Sequence, residues 1–152
     1  GGVTPFHFDP EHNILLQVMG SKTMTLFPVE DEVMFSARVH EEFHLGKHHR
    51  NLPWQDAFSA KGTPISIAPG GAIHVPVKAP HWVQNGDEPS ISLSVTWRSD
   101  WSYAEADARA FNHMLRELGM HPASPAAFPA QNTAKAMAYR AVRKLKGLSK
   151  SA

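Results

Sequence analysis

Residues 64–97 read PISIAPGGAIHVPVKAPHWVQNGDEPSISLSVTW, and this stretch decides the fold. It holds four short runs: Pro64 to Ala68, Ala72 to Val75, His81 to Gln84 and Ser90 to Trp97. Pro69-Gly70-Gly71 and Asn85-Gly86-Asp87 punctuate them. Gly, Pro, Asn and Asp at such positions favour tight turns. The last run alternates Ile91, Leu93, Val95 and Trp97 with Ser92, Ser94 and Thr96, the two-residue period of a half-buried strand. Upstream, Val3 to Phe8, Ile14 to Met19 and Thr23 to Phe27 repeat the pattern, with turns at Asp9-Pro10 and Gly20-Ser21. Many short strands joined by Gly and Pro turns predict a barrel or jelly roll.

Between the two groups of strands, Pro28 to Lys61 is polar and without a steady period, a long inserted loop carrying a helical turn or two. After Asp100 the period changes. Tyr103, Ala106, Ala110, Phe111, Met114, Leu115 and Leu118 fall on one helical stripe, and Gly119 is placed to end the helix. A Pro-rich linker, His121 to Pro129, leads to a second helix from about Thr133 to Leu145. The expected division is a barrel over residues 1–100 and a C-terminal helical extension over residues 101–152. The helices would pack on the barrel or on a partner subunit, so a homodimer through them is one expectation.

With 152 residues, one compact core is expected. Fifteen Lys and Arg against fourteen Asp and Glu leave a formal charge of +1, which gives no overall field toward nucleic acid. The acid-free run Lys135, Arg140, Arg143, Lys144, Lys146 and Lys150 reads as a solvated helix face, because only Tyr139 accompanies it as an aromatic. No apolar run approaches the roughly 20 residues of a membrane span, and GGVTPFHFD is unlike a signal peptide, so the cytoplasm is the expected compartment. Cys is absent, which leaves His, Asp and Glu as the strong metal ligands.

Ten His make a metal site a live question. In His7-Phe8-Asp9, ligand-type side chains sit two apart, and on a strand that spacing puts both on one face. Two His and one carboxylate that leave other positions open form the site of non-haem iron(II) oxygenases. The second His is then His74 or His81. Their separation of seven would turn them to opposite faces of a regular strand, yet Pro76 and Pro80 interrupt any such strand. Spacing alone leaves both open. His44, His48 and His49 read as a solvated cluster, and the four Trp mainly as core anchors.

Val3-Thr4-Pro5-Phe6-His7-Phe8-Asp9, then Asn13, then Gly20 to Pro28, resembles the JmjC group of 2-oxoglutarate oxygenases, in particular its small asparaginyl-hydroxylase-like members. Pro69-Gly70-Gly71-Ala72-Ile73-His74-Val75-Pro76 followed by His81 resembles the same family's Pro-Gly segment and later His. The resemblance runs from Val3 to about Arg98. It implies a mainly β, double-stranded β-helix (cupin or jelly-roll) barrel with C-terminal α-helices. His7, Asp9 and His81 would hold Fe(II), Lys22 would pair with the distal carboxylate of 2-oxoglutarate, Thr4 would add a hydroxyl, and Asn13 and Thr96 would lie beside the co-substrate. The implied reaction consumes 2-oxoglutarate and O2, releases succinate and carbon dioxide, and hydroxylates a substrate, which could be a protein or peptide side chain.

The chain departs from the family in places. Gly71 stands where an acid is usual, and Thr96 where Asn is common. The segment that precedes the His-x-Asp strand in the family, with barrel strands and an aromatic hydroxyl, has no counterpart here, so the activity is expected of a longer parent protein. Two other readings compete. A non-catalytic cupin-like transcriptional regulator or small-molecule sensor would keep the pocket, and a small-cupin isomerase would bind metal through His74 instead of His81.

Overall fold

The computed structural model describes residues 1–29, 33–46, 51–125 and 129–147. His48, His49 and Lys150, weighed above, lie outside these residues. The chain forms two units, one of Gly1–Met34 with His49–Arg98 and one of Phe35–His48 with Ser99–Ala152.

The first unit contains seven strands: β1 (Val3–His7), β2 (His12–Met19), β3 (Lys22–Leu26), β4 (Thr63–Ile67), β5 (Ala72–Val75), β6 (His81–Asn85) and β7 (Ile91–Trp97). They form a four-stranded sheet in the order β1-β6-β3-β4 and a three-stranded sheet in the order β5-β2-β7, with every pairing antiparallel. The chain passes repeatedly from one sheet to the other, which is the double-stranded β-helix of a cupin barrel. Gly20 makes the β2–β3 turn at φ 67°, a conformation that side-chain-bearing residues rarely adopt, with the Pro89 carbonyl where a Cβ would be.

The two sheets enclose one core. Leu15, Ile73 and Val75 from β2 and β5 meet Met24, Ile67, Ala79 and Val83 from the other side. Burial of these side chains is the main stabilising term for the unit. Phe6, Phe27, Trp54 and Phe58 form a second cluster, with ring centroids 5.1–6.3 Å apart. Trp54 and Trp97 are 42% and 41% exposed, so they are not the buried anchors that Trp commonly supplies. The alternation in β7 is present, but its apolar row of Ile91, Leu93, Val95 and Trp97 is exposed on an edge strand.

The second unit contains α1 (Ala37–His44), α2 (Asp100–Glu117) and α3 (Pro129–Leu145). The inserted loop thus supplies a helix here, and a short 3-10 helix, Asp56–Lys61, to the barrel. Ser99 caps α2: its hydroxyl accepts the Ser102 N–H while Ser102 Oγ accepts the Ser99 N–H. Gly119 follows α2 at φ 80°, as its position suggested. The apolar stripe is displaced from expectation, since Tyr103 and Leu118 are exposed while Ser102, Glu105, Arg109, Asn112 and His113 are buried. The physical reason is pairing. Arg109 Nε donates to Glu105 at 2.9 Å, and Arg116 Nε lies 3.0 Å from both oxygens of the fully buried Glu41 on α1. Buried charges that are paired this way can occupy an interior face.

Candidate metal centre

β1 ends at His7, so Asp9 does not lie on a regular strand. Pro10 follows it and carries no N–H for a ladder, and the intervening Phe8 is fully buried. Asp9 reaches the same place as His7 from the turn. His81, the first residue of β6, is the Cα partner of His7 across the antiparallel pair. Residues paired in this way project to the same side of a sheet.

The three side chains converge. His7 Nε2 and His81 Nε2 lie 3.8 and 4.0 Å from Asp9 Oδ2, and the two rings are 4.2 Å apart at 54°. All three ligand atoms fall within 4.8 Å of one another, and no other such group of His, Asp or Glu occurs among the described residues. Both imidazoles are buried, at 3% exposure each, whereas the Asp9 side chain is partly open.

Backbone carbonyls set the tautomers. His7 Nδ1 contacts the Pro5 carbonyl at 2.6 Å, and His81 Nδ1 contacts the Ala79 carbonyl at 2.9 Å. A carbonyl only accepts, so each Nδ1 carries a proton, which leaves Nε2 as the ring nitrogen available to a metal. Two imidazole nitrogens and one carboxylate, separated by these distances, suit a divalent cation bound at about 2.0–2.2 Å. The donors present therefore fit a metal with further positions left for other ligands.

The remaining candidates are sorted by strand parity. Lys22 and Met24 are two apart on β3, so Lys22 points to the side on which the buried Met24 lies. Burial lowers the pKa of its ammonium. Asn13 shares the inward face of β2 with Leu15 and is buried, and its Oδ1 has no hydrogen-bond partner. Thr96 is the partner of Asn13 across β2 and β7, and Thr4 the partner of Val83 across β1 and β6. Both threonines are exposed. His74 pairs with Ile14 on the opposite face of its sheet, is exposed, and stacks on Trp97 with centroids 6.4 Å apart. The structure thus places His81, and not His74, beside His7 and Asp9.

Sequence reasoning missed the Pro76–Ala79 turn that serves this centre. Lys78 N–H donates to the Asp9 carbonyl at 2.9 Å. A Gly or Asn at position 78 would have signalled that turn, and a Lys does not.

No family model matches the chain. Among curated proteins it is 30% identical over 106 residues to Jumonji C domain-containing protein 5 of Drosophila melanogaster, covering 64% of this chain and 25% of that protein. It is 54% identical over 35 residues to the lysine-specific demethylase JMJ30 of Arabidopsis thaliana, covering 22% of this chain and 8% of that protein. This chain is similar to Jumonji C proteins. It spans a quarter or less of the length of these relatives. Among solved structures it is similar to the ribosomal oxygenase YcfD of Escherichia coli in complex with cobalt and 2-oxoglutarate, with TM-score 0.45 and 18% identity, covering 99% of this chain and 37% of that one. The JmjC-like chain contains no described helix long and apolar enough to cross a membrane.

Proposed function

We propose that this chain is the metal-binding barrel of an Fe(II)- and 2-oxoglutarate-dependent oxygenase. The observation that carries the reading is the convergence of His7 Nε2, His81 Nε2 and Asp9 Oδ2 with both Nδ1 protons engaged by carbonyls. The Jumonji C relatives support the same class. In the proposal, residues 1–100 are the barrel, residues 101–152 a helical extension, and the protein works in the cytoplasm. Its substrate is a protein or peptide side chain, in keeping with the name of the Arabidopsis demethylase. A homodimer through the C-terminal helices, which expose Tyr103, Leu118 and Met137, belongs to the same reading.

Bound iron would supply the means of activating O2 for attack on a C–H bond. The chain's own residues do the rest. His7, Asp9 and His81 hold the ion on one side, and the two carbonyls orient the imidazoles and make their Nε2 atoms better donors to it. Lys22 binds the distal carboxylate of 2-oxoglutarate as a compact cation, and Thr4 adds a hydroxyl to that carboxylate. Asn13, buried on the inward face of β2, lies beside the co-substrate, where its amide N–H groups can donate to it, with Thr96 alongside. Ala79 and Val83, on either side of His81 in sequence, help keep bulk water from the buried imidazoles.

The test is to incubate the full chain with iron(II), ascorbate and labelled 2-oxoglutarate. Iron-dependent release of succinate, lost in Asp9→Ala, is the expected result. Well-folded, iron-loaded protein that yields no succinate would instead favour the sensor reading.

A further inference from the structure

Among the described residues, Lys78 is the one non-glycine residue with a left-handed backbone, at φ 59°. It is also 1% exposed. It occupies the third position of the Pro76–Ala79 turn, closed by the Ala79 N–H donating to the Pro76 carbonyl at 3.0 Å. A positive φ at that position alone is the mark of a type II turn, where Gly or Asn is usual. A lysine there carries strain, and strained residues persist only where the surroundings hold them.

Two hydrogen bonds show what this turn serves. Lys78 N–H donates to the Asp9 carbonyl at 2.9 Å, and the Ala79 carbonyl accepts the His81 Nδ1 proton at 2.9 Å. One four-residue turn therefore fixes the main chain of one ligand and the ring of another. If residue 78 relaxed to a negative φ, the peptide N–H would swing away from Asp9 and the neighbouring peptide would turn the Ala79 carbonyl with it. We infer that Lys78 is a positioning residue, whose left-handed backbone sets the relative placement of Asp9 and His81 in the metal centre. The inference rests on the metal reading proposed above and adds to it how the centre is held.

The test is a Co(II) titration of the full chain, read by calorimetry and by the visible absorption of the bound ion. Lys78→Gly accepts the left-handed conformation without strain and retains the N–H, so, although it removes a buried side chain, it should bind Co(II) more tightly than the alanine and valine variants and stay nearest the wild-type spectrum. Lys78→Val opposes that conformation. Its affinity should fall roughly tenfold to a hundredfold, as for other losses of outer support, with an altered spectrum. Lys78→Ala should fall between them, and its comparison with Lys78→Gly serves if the valine variant does not fold. Valine and alanine variants indistinguishable from wild type would overturn the inference. So would equal losses in glycine and valine variants, which would assign the effect to the side chain. A wild-type chain that binds no Co(II) would overturn the metal reading and this inference together.

Discussion

His7 and His81 are Cα partners on antiparallel β1 and β6, and their rings stand 4.2 Å apart. Residues 74 positions apart in sequence thereby become neighbours, with Asp9 Oδ2 within 4.0 Å of each Nε2. The sheet pairing itself builds two thirds of the centre.

Because His81 is in this group and His74 is on the outward face beside Trp97, the two histidines should respond differently to substitution. His81→Ala should reduce Co(II) affinity by more than the roughly tenfold to hundredfold typical of outer partners. His74→Ala should leave it unchanged. Calorimetric titration of both variants checks this, and the opposite ranking would revive the small-cupin assignment.

Lys22 makes folding stability depend on pH. Its pKa is lowered by burial, so between that lowered value and the ordinary 10.5 the unfolded chain binds more protons than the folded one. Folding stability from this group therefore rises with pH across that window. Lys22→Met should flatten the rise, as followed by urea denaturation at several alkaline pH values. If Lys22 also pairs with the co-substrate, the same variant should weaken 2-oxoglutarate binding roughly ten- to hundredfold, in line with about 1.5–3 kcal/mol for a charged hydrogen bond. Equilibrium dialysis of the metal-loaded chain measures that arm.

Met24, 1% exposed, is packed among Leu15, Ile67, Ile73 and Val83. Met24→Ala should destabilise the protein by about 2–5 kcal/mol, through lost burial and the cavity left behind. A urea midpoint unchanged from wild type would contradict the packing described for the barrel.

In the helical unit, Arg116 holds the fully buried carboxylate of Glu41. Arg116→Ala strands that charge and should cost about 3 kcal/mol, the lower part of the range for breaking a buried pair, since Arg116 is partly solvated. Arg38→Ala removes only the exposed pair with Glu42 and Glu117 and should leave the denaturation midpoint unchanged.

The sequence by itself determined the class of fold and the composition of the site. Alternation in residues 91–97, the turns at 69–71 and 85–87, and the His-x-Asp group are local features, and local backbone preferences suffice to read them. The helix stop at Gly119 is of the same kind. The buried face of α2 was not legible, because Glu105, Arg109 and Arg116 are buried only through partners, one of which, Glu41, comes from α1. Residue spacing left His81 and His74 open, because two prolines and a turn separate them and strand parity could not be carried from one to the other; the resemblance implied His81, and the sheet pairing is what puts it beside His7. Lys78 shows the same limit. Its left-handed backbone is disfavoured locally and is held by the buried turn and its bond to Asp9, contacts that exist only once the sheets have closed.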